Sequence, residues 1–134
     1  MLDNLLFFEF SGIKNVHCLF HGKNFNTEKS LGSIAFDRGE NNAVIRENRR
    51  YLFEKLNMPV LEVHQIHSNI LHFNPKETHY SEQASLEGDG IATDKAKHAL
   101  LIKTADCQPI LFTDPKGEHI MALHVGWRGN RNDF

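Results

Sequence analysis

Long apolar runs are missing from this chain. No stretch approaches the roughly 20 consecutive apolar residues that span a bilayer, which argues against a transmembrane helix and a membrane partner. The N-terminus, MLDNLLFFEF, is apolar, but it has no basic leading region and is interrupted by Asp3 and Glu9, so it does not read as a signal peptide. A soluble, cytoplasmic protein is expected. An excess of either charge is missing too. Fifteen basic residues face 17 acidic ones, a net charge of −2, and this gives no electrostatic case for nucleic acid as a partner. Cysteine is scarce: Cys18 and Cys107 cannot build a disulfide framework, and each needs its own explanation. Cys18, inside VHCLF, reads as a small buried hydrophobe. Repeats, low-complexity tracts and linker-like stretches are also absent, so residues 1–134 are expected to form one domain.

What the chain does have is histidine, nine in 134 residues. Histidine is the commonest metal ligand and titrates near neutrality, so the excess asks for a reason. His17, His21, His72, His79, His98 and His119 show no partner pattern and read as surface or locally satisfied side chains.

Residues 41–56 form the clearest helix. Val44, Ile45, Leu52, Phe53 and Leu56 recur at helical spacing, and the helix should end near Asn57, ahead of Pro59. Arg46, Arg49 and Arg50 are interleaved with Glu47 and Glu54 and read as a solvated helix face. VLEVHQIHSNILHF then reads as a strand, a bend at His67-Ser68-Asn69 and a second, paired strand from Ile70 to Phe73. Residues 74–88 form a long polar loop or contain a short helix. Ala99 to Thr104 fits a largely buried strand, and Pro109 to Thr113 another. Asp114-Pro115-Lys116-Gly117 has turn chemistry, and His119 to His124 returns as the partner strand of a hairpin. This order favours an α+β fold, mixed or antiparallel sheets packed with helices in layers, over a doubly wound parallel sheet.

Three stretches carry reactive side chains at predicted strand edges: Gln65-Ile66-His67, Thr104-Ala105-Asp106-Cys107 and His124-Val125-Gly126-Trp127-Arg128-Gly129. His67 and Cys107 lie 40 positions apart, and Cys107 and His124 lie 17 apart. Neither is a zinc-finger interval; three ligands on separate strand ends suggest an open metal site with a position left for water or substrate. One thiolate and two imidazoles suit Zn²⁺ and also copper. The competing reading makes Cys107 a buried core thiol and His124 a satisfied core histidine.

TADCQPILFTDP followed by HVGWRG resembles the signature of the laccase-domain (YfiH-like) purine nucleoside phosphorylase family, in which a TADC-x-P stretch ending in DP precedes H-x-GWRG. QIH is similar to that family's QVH, DGIATD to its DALVTD, and Glu47-Asn48-Arg49 to its ENR on a helix. The match runs in order from Gly32 to Gly129. The resemblance implies zinc held by His67, Cys107 and His124, with purine nucleoside and phosphate as substrates. It implies phosphorolysis of adenosine, inosine, guanosine and methylthioadenosine, and deamination of adenosine. An older family label, multicopper polyphenol oxidase, fits less well, because one three-ligand site is visible where several copper centres are needed.

Around that site, Cys107, Asp106 and Arg128 are the candidate catalytic residues. Arg128 either binds phosphate or substrate charge through its guanidinium or is held in a structural pair at the turn. Asp106 either orients a ligand or acts as acid–base. Gln65 is expected to help fix the substrate. Gly126 and Gly129 serve the turn, and Trp127 is expected in the core. Two departures from the family stand out. FHGKNFNTEKSLG replaces an N-terminal TR-x-GG-x-S motif, and the chain ends soon after GWRG, at the half to two-thirds of the family's length. A fragment is expected, or a short protein buttressed by a partner such as a second copy, with the last strand left as an exposed sheet edge. Two other functions compete: a cysteine hydrolase with Cys107 activated by His124, and a non-catalytic metal-binding remnant.

Overall fold

A computed structural model describes residues 5–8, 13–21, 33–36 and 42–131 of the chain. Strands β1 (Leu5–Phe8) and β2 (Cys18–His21) pair antiparallel, and Cys18 is buried as expected of a small hydrophobe. Helix α1 (Asn42–Leu56) follows. Strand β3 (Val60–Glu62) pairs in parallel with β6 (Ala99–Leu101). A four-stranded sheet runs in the order β4 (Leu71–Phe73), β5 (Gly90–Thr93), β8 (Ile120–Val125), β7 (Gln108–Thr113). Its first pair is parallel and the other two antiparallel. A single short turn of helix, α2 (Trp127–Arg131), closes the described chain. This is an α+β fold with mixed sheets.

Cross-strand register sorts the four-stranded sheet into two faces, because partners opposite each other point the same way. Ile91 opposes Ala122, which opposes Leu111. Ile91 packs with Leu61 and Val63 in a core against which Leu100 and Ile102 also lie. Each such buried aliphatic side chain stabilises the fold by roughly 1.5–3 kcal/mol. On the other face Leu71 and Phe73 of β4 and Phe112 of β7 stay half-exposed. The last strand, β8, is not the expected edge: β5 and β7 flank it, and the edges fall to β4 and β7.

Helix α1 ends where the sequence suggests, but the stop is built by Asn57 itself. Its φ of 48° places it in the left-handed region that asparagine tolerates, and its N–H still reaches Phe53 O at 3.1 Å. The basic face needs correcting. Arg50 is exposed and pairs with Glu54 one turn on, and Arg46 reaches Ser81 O, but Arg49 is fully buried. Ile45, Arg49 and Leu52 are the buried residues of α1, four and three positions apart, so Arg49 occupies the middle of the apolar stripe. Its guanidinium forks onto Glu62 at 2.7 and 3.2 Å and donates to Tyr80 O, Ile34 O and Glu82 O. Phe36 and Phe53 lie over it at about 5 Å. One side chain thereby ties α1 to β3, to residues 33–36 and to the polar excursion between β4 and β5.

Three further differences concern strands. β3 and β4 are not partners, because the chain turns between them and joins a different sheet, each pairing in parallel with a later strand. Residues 74–88 hold no helix, and Leu61 and His64 bridge to Glu77 and Glu87 there. β6 stops at Leu101, because Lys103 N–H is taken by the Gln65 side chain. The Asp114 to Gly117 turn and the β7–β8 hairpin are as expected. Gly117 sits at φ 70°, and its N–H reaches Asp114 O at 3.0 Å.

Replacing Arg49 with Met should destabilise the protein by about 3 kcal/mol, since it leaves a buried carboxylate under-compensated. Arg50→Met, at an exposed pair, should cost under about 0.5 kcal/mol. Burial pushes the Glu62 carboxyl up, but the hydrogen bond from Arg49 and the charges of Lys103 and Arg49 outweigh it and hold it below its ordinary 4.5. A depressed folded value stabilises above the unfolded value and is lost as pH falls through the folded one. The gap between wild type and Arg49→Met in urea midpoints should therefore narrow below pH 4.5. A gap constant from pH 7 to 3 would show that Glu62 is not the partner that matters.

Candidate metal centre

The turn after β3 delivers the first ligand. His67 has φ 60°, a conformation a histidine adopts only when its surroundings over-determine it. What determines it is Asp89, fully buried just before β5. The Asp89 carboxylate accepts from the backbone N–H groups of Ile66, His67 and Ser68 at 3.2, 3.1 and 2.6 Å, and from the Ser68 hydroxyl at 2.8 Å. Gly88 must be glycine for the segment to lie so close, since a Cβ there would fall 2.8 Å from His72 Cδ2.

The same carboxylate sets the second ligand. His124, buried on β8, directs Nδ1 at Asp89 Oδ1 at 2.7 Å, and its backbone N–H donates to Asp89 O at 2.8 Å. Burial raises the Asp89 carboxyl, but hydrogen bonds from His124, Ser68 and Ile66 outweigh it and hold it below the ordinary carboxylate range. An ionised carboxylate only accepts, so Nδ1 carries a proton and Nε2 is the ring nitrogen left for a metal ion.

Cys107 arrives from the segment before β7, half-buried, with Sγ 3.7 Å from His67 Nε2. The rings of His67 and His124 meet edge-on with centroids 4.9 Å apart. One ligand atom from each of the three residues lies within 4.8 Å of the others. Among the described residues this is the one such cluster. Its burial is graded from exposed His67 through Cys107 to buried His124, so it opens to solvent on the His67 side. Gly126 makes the approach of His67 and Cys107 feasible: a Cβ there would meet His67 Cδ2 at 2.9 Å and Cys107 Sγ at 3.3 Å. Two imidazoles, one held in a defined tautomer by a carboxylate, and one thiol converging on an open side fit a catalytic rather than a structural metal.

The other candidates lie near by with different contacts. Asp106 is exposed, with Oδ1 3.8 Å from Cys107 Sγ. Gln65 has both ends of its amide engaged by the backbone of Lys103. Arg128 is exposed on α2 with its guanidinium 5.3 Å over the Trp127 ring. Trp127 is 66% exposed, not core, because α2 turns it outward at the end of the sheet. Asp89 was visible only inside DGIATD, without a role. The signal that could have found it is a carboxylate flanked by two glycines at the start of a short apolar strand.

Residues 25–134 match the family model for multi-copper polyphenol oxidoreductase laccases. The chain belongs to this family. It is 37% identical over 93 residues to a purine nucleoside phosphorylase of Haemophilus influenzae, covering 68% of this chain and 36% of that protein. Over 121 residues it is 31% identical to a purine nucleoside phosphorylase of Rickettsia conorii, covering 90% of this chain and 48% of the relative. A crystal structure of a Neisseria meningitidis protein of family DUF152 superposes with a TM-score of 0.76 at 28% identity, covering 95% of this chain and 52% of that one. The chain thus spans about a third to about half the length of these laccase-family relatives.

Two substitutions test the centre. Asp89→Asn keeps the size but removes the charge that fixes His124, and should weaken Zn²⁺ binding at least about tenfold. Gly126→Ala should weaken it similarly while barely moving the thermal midpoint, since the group displaced is the exposed His67 ring. Competition with a chromophoric chelator reads both; wild-type affinity in either variant would remove that residue from the account of the site.

Proposed function

We propose that this chain carries the metal centre of a zinc-dependent purine nucleoside phosphorylase acting on adenosine, inosine, guanosine and methylthioadenosine, with adenosine deamination as a second activity. The observation that carries the reading is the convergence of His67, Cys107 and His124, with Asp89 fixing the last of them. The relatives' names supply the reaction class, purine nucleoside phosphorolysis.

His67 Nε2, Cys107 Sγ and His124 Nε2 would hold the ion. Bound there, a Zn²⁺ supplies Lewis acidity and lowers the pKa of a bound water toward about 7. The chain's own groups orient the reactants. In phosphorolysis the bond from the sugar's anomeric carbon to the purine nitrogen breaks, a bond from that carbon to a phosphate oxygen forms, and the purine leaves with a proton. Arg128, exposed on α2 two residues after Gly126, offers a fork of N–H donors for phosphate oxygens. Asp106, exposed next to Cys107, is placed to pass a proton to or from the reacting groups. Both side chains are exposed, unlike Asp89.

Mass spectrometry of adenosine incubated with the purified chain, with and without phosphate, tests this beside a Cys107→Ala control. Adenine formed only with phosphate, or inosine formed without it, and neither in the control, is the expected result. Added chelator should abolish both products. Unchanged adenosine from the metal-loaded chain would overturn the claim of activity for these residues. Oxidation of a phenol by O₂ with the copper-loaded chain, adenosine remaining unchanged, would support the polyphenol-oxidase label instead.

A further inference from the structure

Asp89 braces His67 against His124, but nothing in that arrangement fixes the third ligand. Cys107 follows Thr104, Ala105 and Asp106, all exposed, so its position is set by the two ends of that segment. One end is Gln108, already paired with Val125 in the β7–β8 ladder. The other is Lys103, and Lys103 is held by Gln65. Gln65 Nε2 donates to Lys103 O at 2.7 Å, and Lys103 N–H donates to Gln65 Oε1 at 2.8 Å.

These two bonds close a ring between one planar amide and one backbone residue, which fixes both distance and angle. They begin where the parallel pairing of β3 with β6 ends, at Glu62 opposite Leu101. From there the two chains diverge, one toward His67 and the other toward Cys107. A side-chain amide has the same donor and acceptor as a peptide group, so Gln65 continues the ladder after the backbones have separated. Lys103 is gripped a second time by its ammonium, which pairs with the buried Glu62 carboxylate.

We propose that Gln65 is a positioning residue of the metal centre, clamping the His67 turn to the Cys107 segment so that Sγ and Nε2 face one ion. The inference rests on the metal-site reading of His67, Cys107 and His124. It assigns Gln65 to the protein's own backbone in place of a substrate contact, because both polar ends of the amide are engaged there. Lys103's ion pair is a scaffold contact and is not what spaces the ligands.

The test is Co²⁺ titration of the whole chain, read by the sulfur-to-cobalt charge-transfer band and by competition with a chelator. Gln65→Met, close in volume but without hydrogen bonds, should weaken Co²⁺ binding at least about tenfold and alter the visible spectrum of the complex. Lys103→Met, which keeps the backbone clamp and loses the ion pair, should lower the thermal midpoint but bind Co²⁺ as wild type does. A purely structural Gln65 would lower the midpoint of the metal-free protein and leave cobalt affinity and spectrum unchanged, which overturns the proposal. Equal weakening in Lys103→Met also overturns it, by assigning the brace to the ion pair. Should Gln65→Met not fold, Gln65→Glu, which keeps the acceptor for Lys103 N–H and loses the donor, is read the same way. A wild-type chain with no cobalt band overturns the metal reading itself, and the clamp with it.

Discussion

A carboxylate removed from water must be satisfied on nearly every lone pair or it becomes neutral, and Asp89 stays ionised by satisfying them all from two distant parts of the chain. That requirement shapes the site. Three consecutive N–H groups can converge on one carboxylate only if the chain curls around it, and the curl puts His67 at φ 60°. The remaining acceptor capacity goes to His124, which settles its tautomer. Left-handed geometry at a non-glycine residue costs on the order of 1 kcal/mol, and charge-assisted hydrogen bonds to the carboxylate each return more than that. Two of the three candidate ligands are therefore placed by the solvation needs of a residue outside the candidate ligand set.

Glu62 applies the same rule to the scaffold. It too is buried and ionised, but its partners are cations, the Arg49 guanidinium and the Lys103 ammonium. Glu62, the last residue of β3, meets the helix through Arg49, and Asp89 stands just before β5 of the four-stranded sheet. The helix side is held by a bidentate ion pair that cannot be shortened to lysine without losing its fork. The sheet side is held by backbone, hydroxyl and imidazole donors around an anion. Between them runs the stretch from Val63 to Ser68, whose own pairing with β6 has already ended. Beyond the single bridge of His64 to Glu87, its shape comes from polar side chains rather than from a continuous strand ladder, which suits a segment that would present a ligand at a defined angle.

The sequence makes the convergent cluster readable as candidate ligands, since His67, Cys107 and His124 stand near strand ends and match a motif pair with unusual wording. Helix α1, the β7–β8 hairpin and the turn at Gly117 were readable from period and turn chemistry alone. What escaped has a common cause. β5 is four residues long with little periodicity, and its pairing partners are far away in sequence. Arg49 looks like its neighbours Arg46 and Arg50 until the 45, 49, 52 stripe is counted, because a buried arginine is recognisable only through the carboxylate that meets it. Asp89 carries no pattern of its own for the same reason: its partners are backbone N–H groups, which every residue has. Trp127 was expected inside, since a lone tryptophan beside glycines usually packs, but the turn into α2 leaves it outside.

The electrostatics of the site also bear on whether Cys107 suits a nucleophile or a ligand. A catalytic thiol needs a lowered pKa, from a cation, a helix N-terminus or a paired histidine. Here burial and the carboxylates of Asp106 and Asp89 push the thiol up. The near contact of Sγ is His67 Nε2 at 3.7 Å, while the hydrogen bond of the His124 ring is that of Nδ1 with Asp89. A hydrolase would thus begin with a thiol whose surroundings oppose its ionisation. The same charges favour the other role. Two carboxylates around a thiol raise the cost of a bare thiolate and lower that of a divalent cation, which converts mutual repulsion into attraction once it binds. A sequence that surrounds a cysteine with acidic groups and lone-pair nitrogens is built to share that cysteine with a cation.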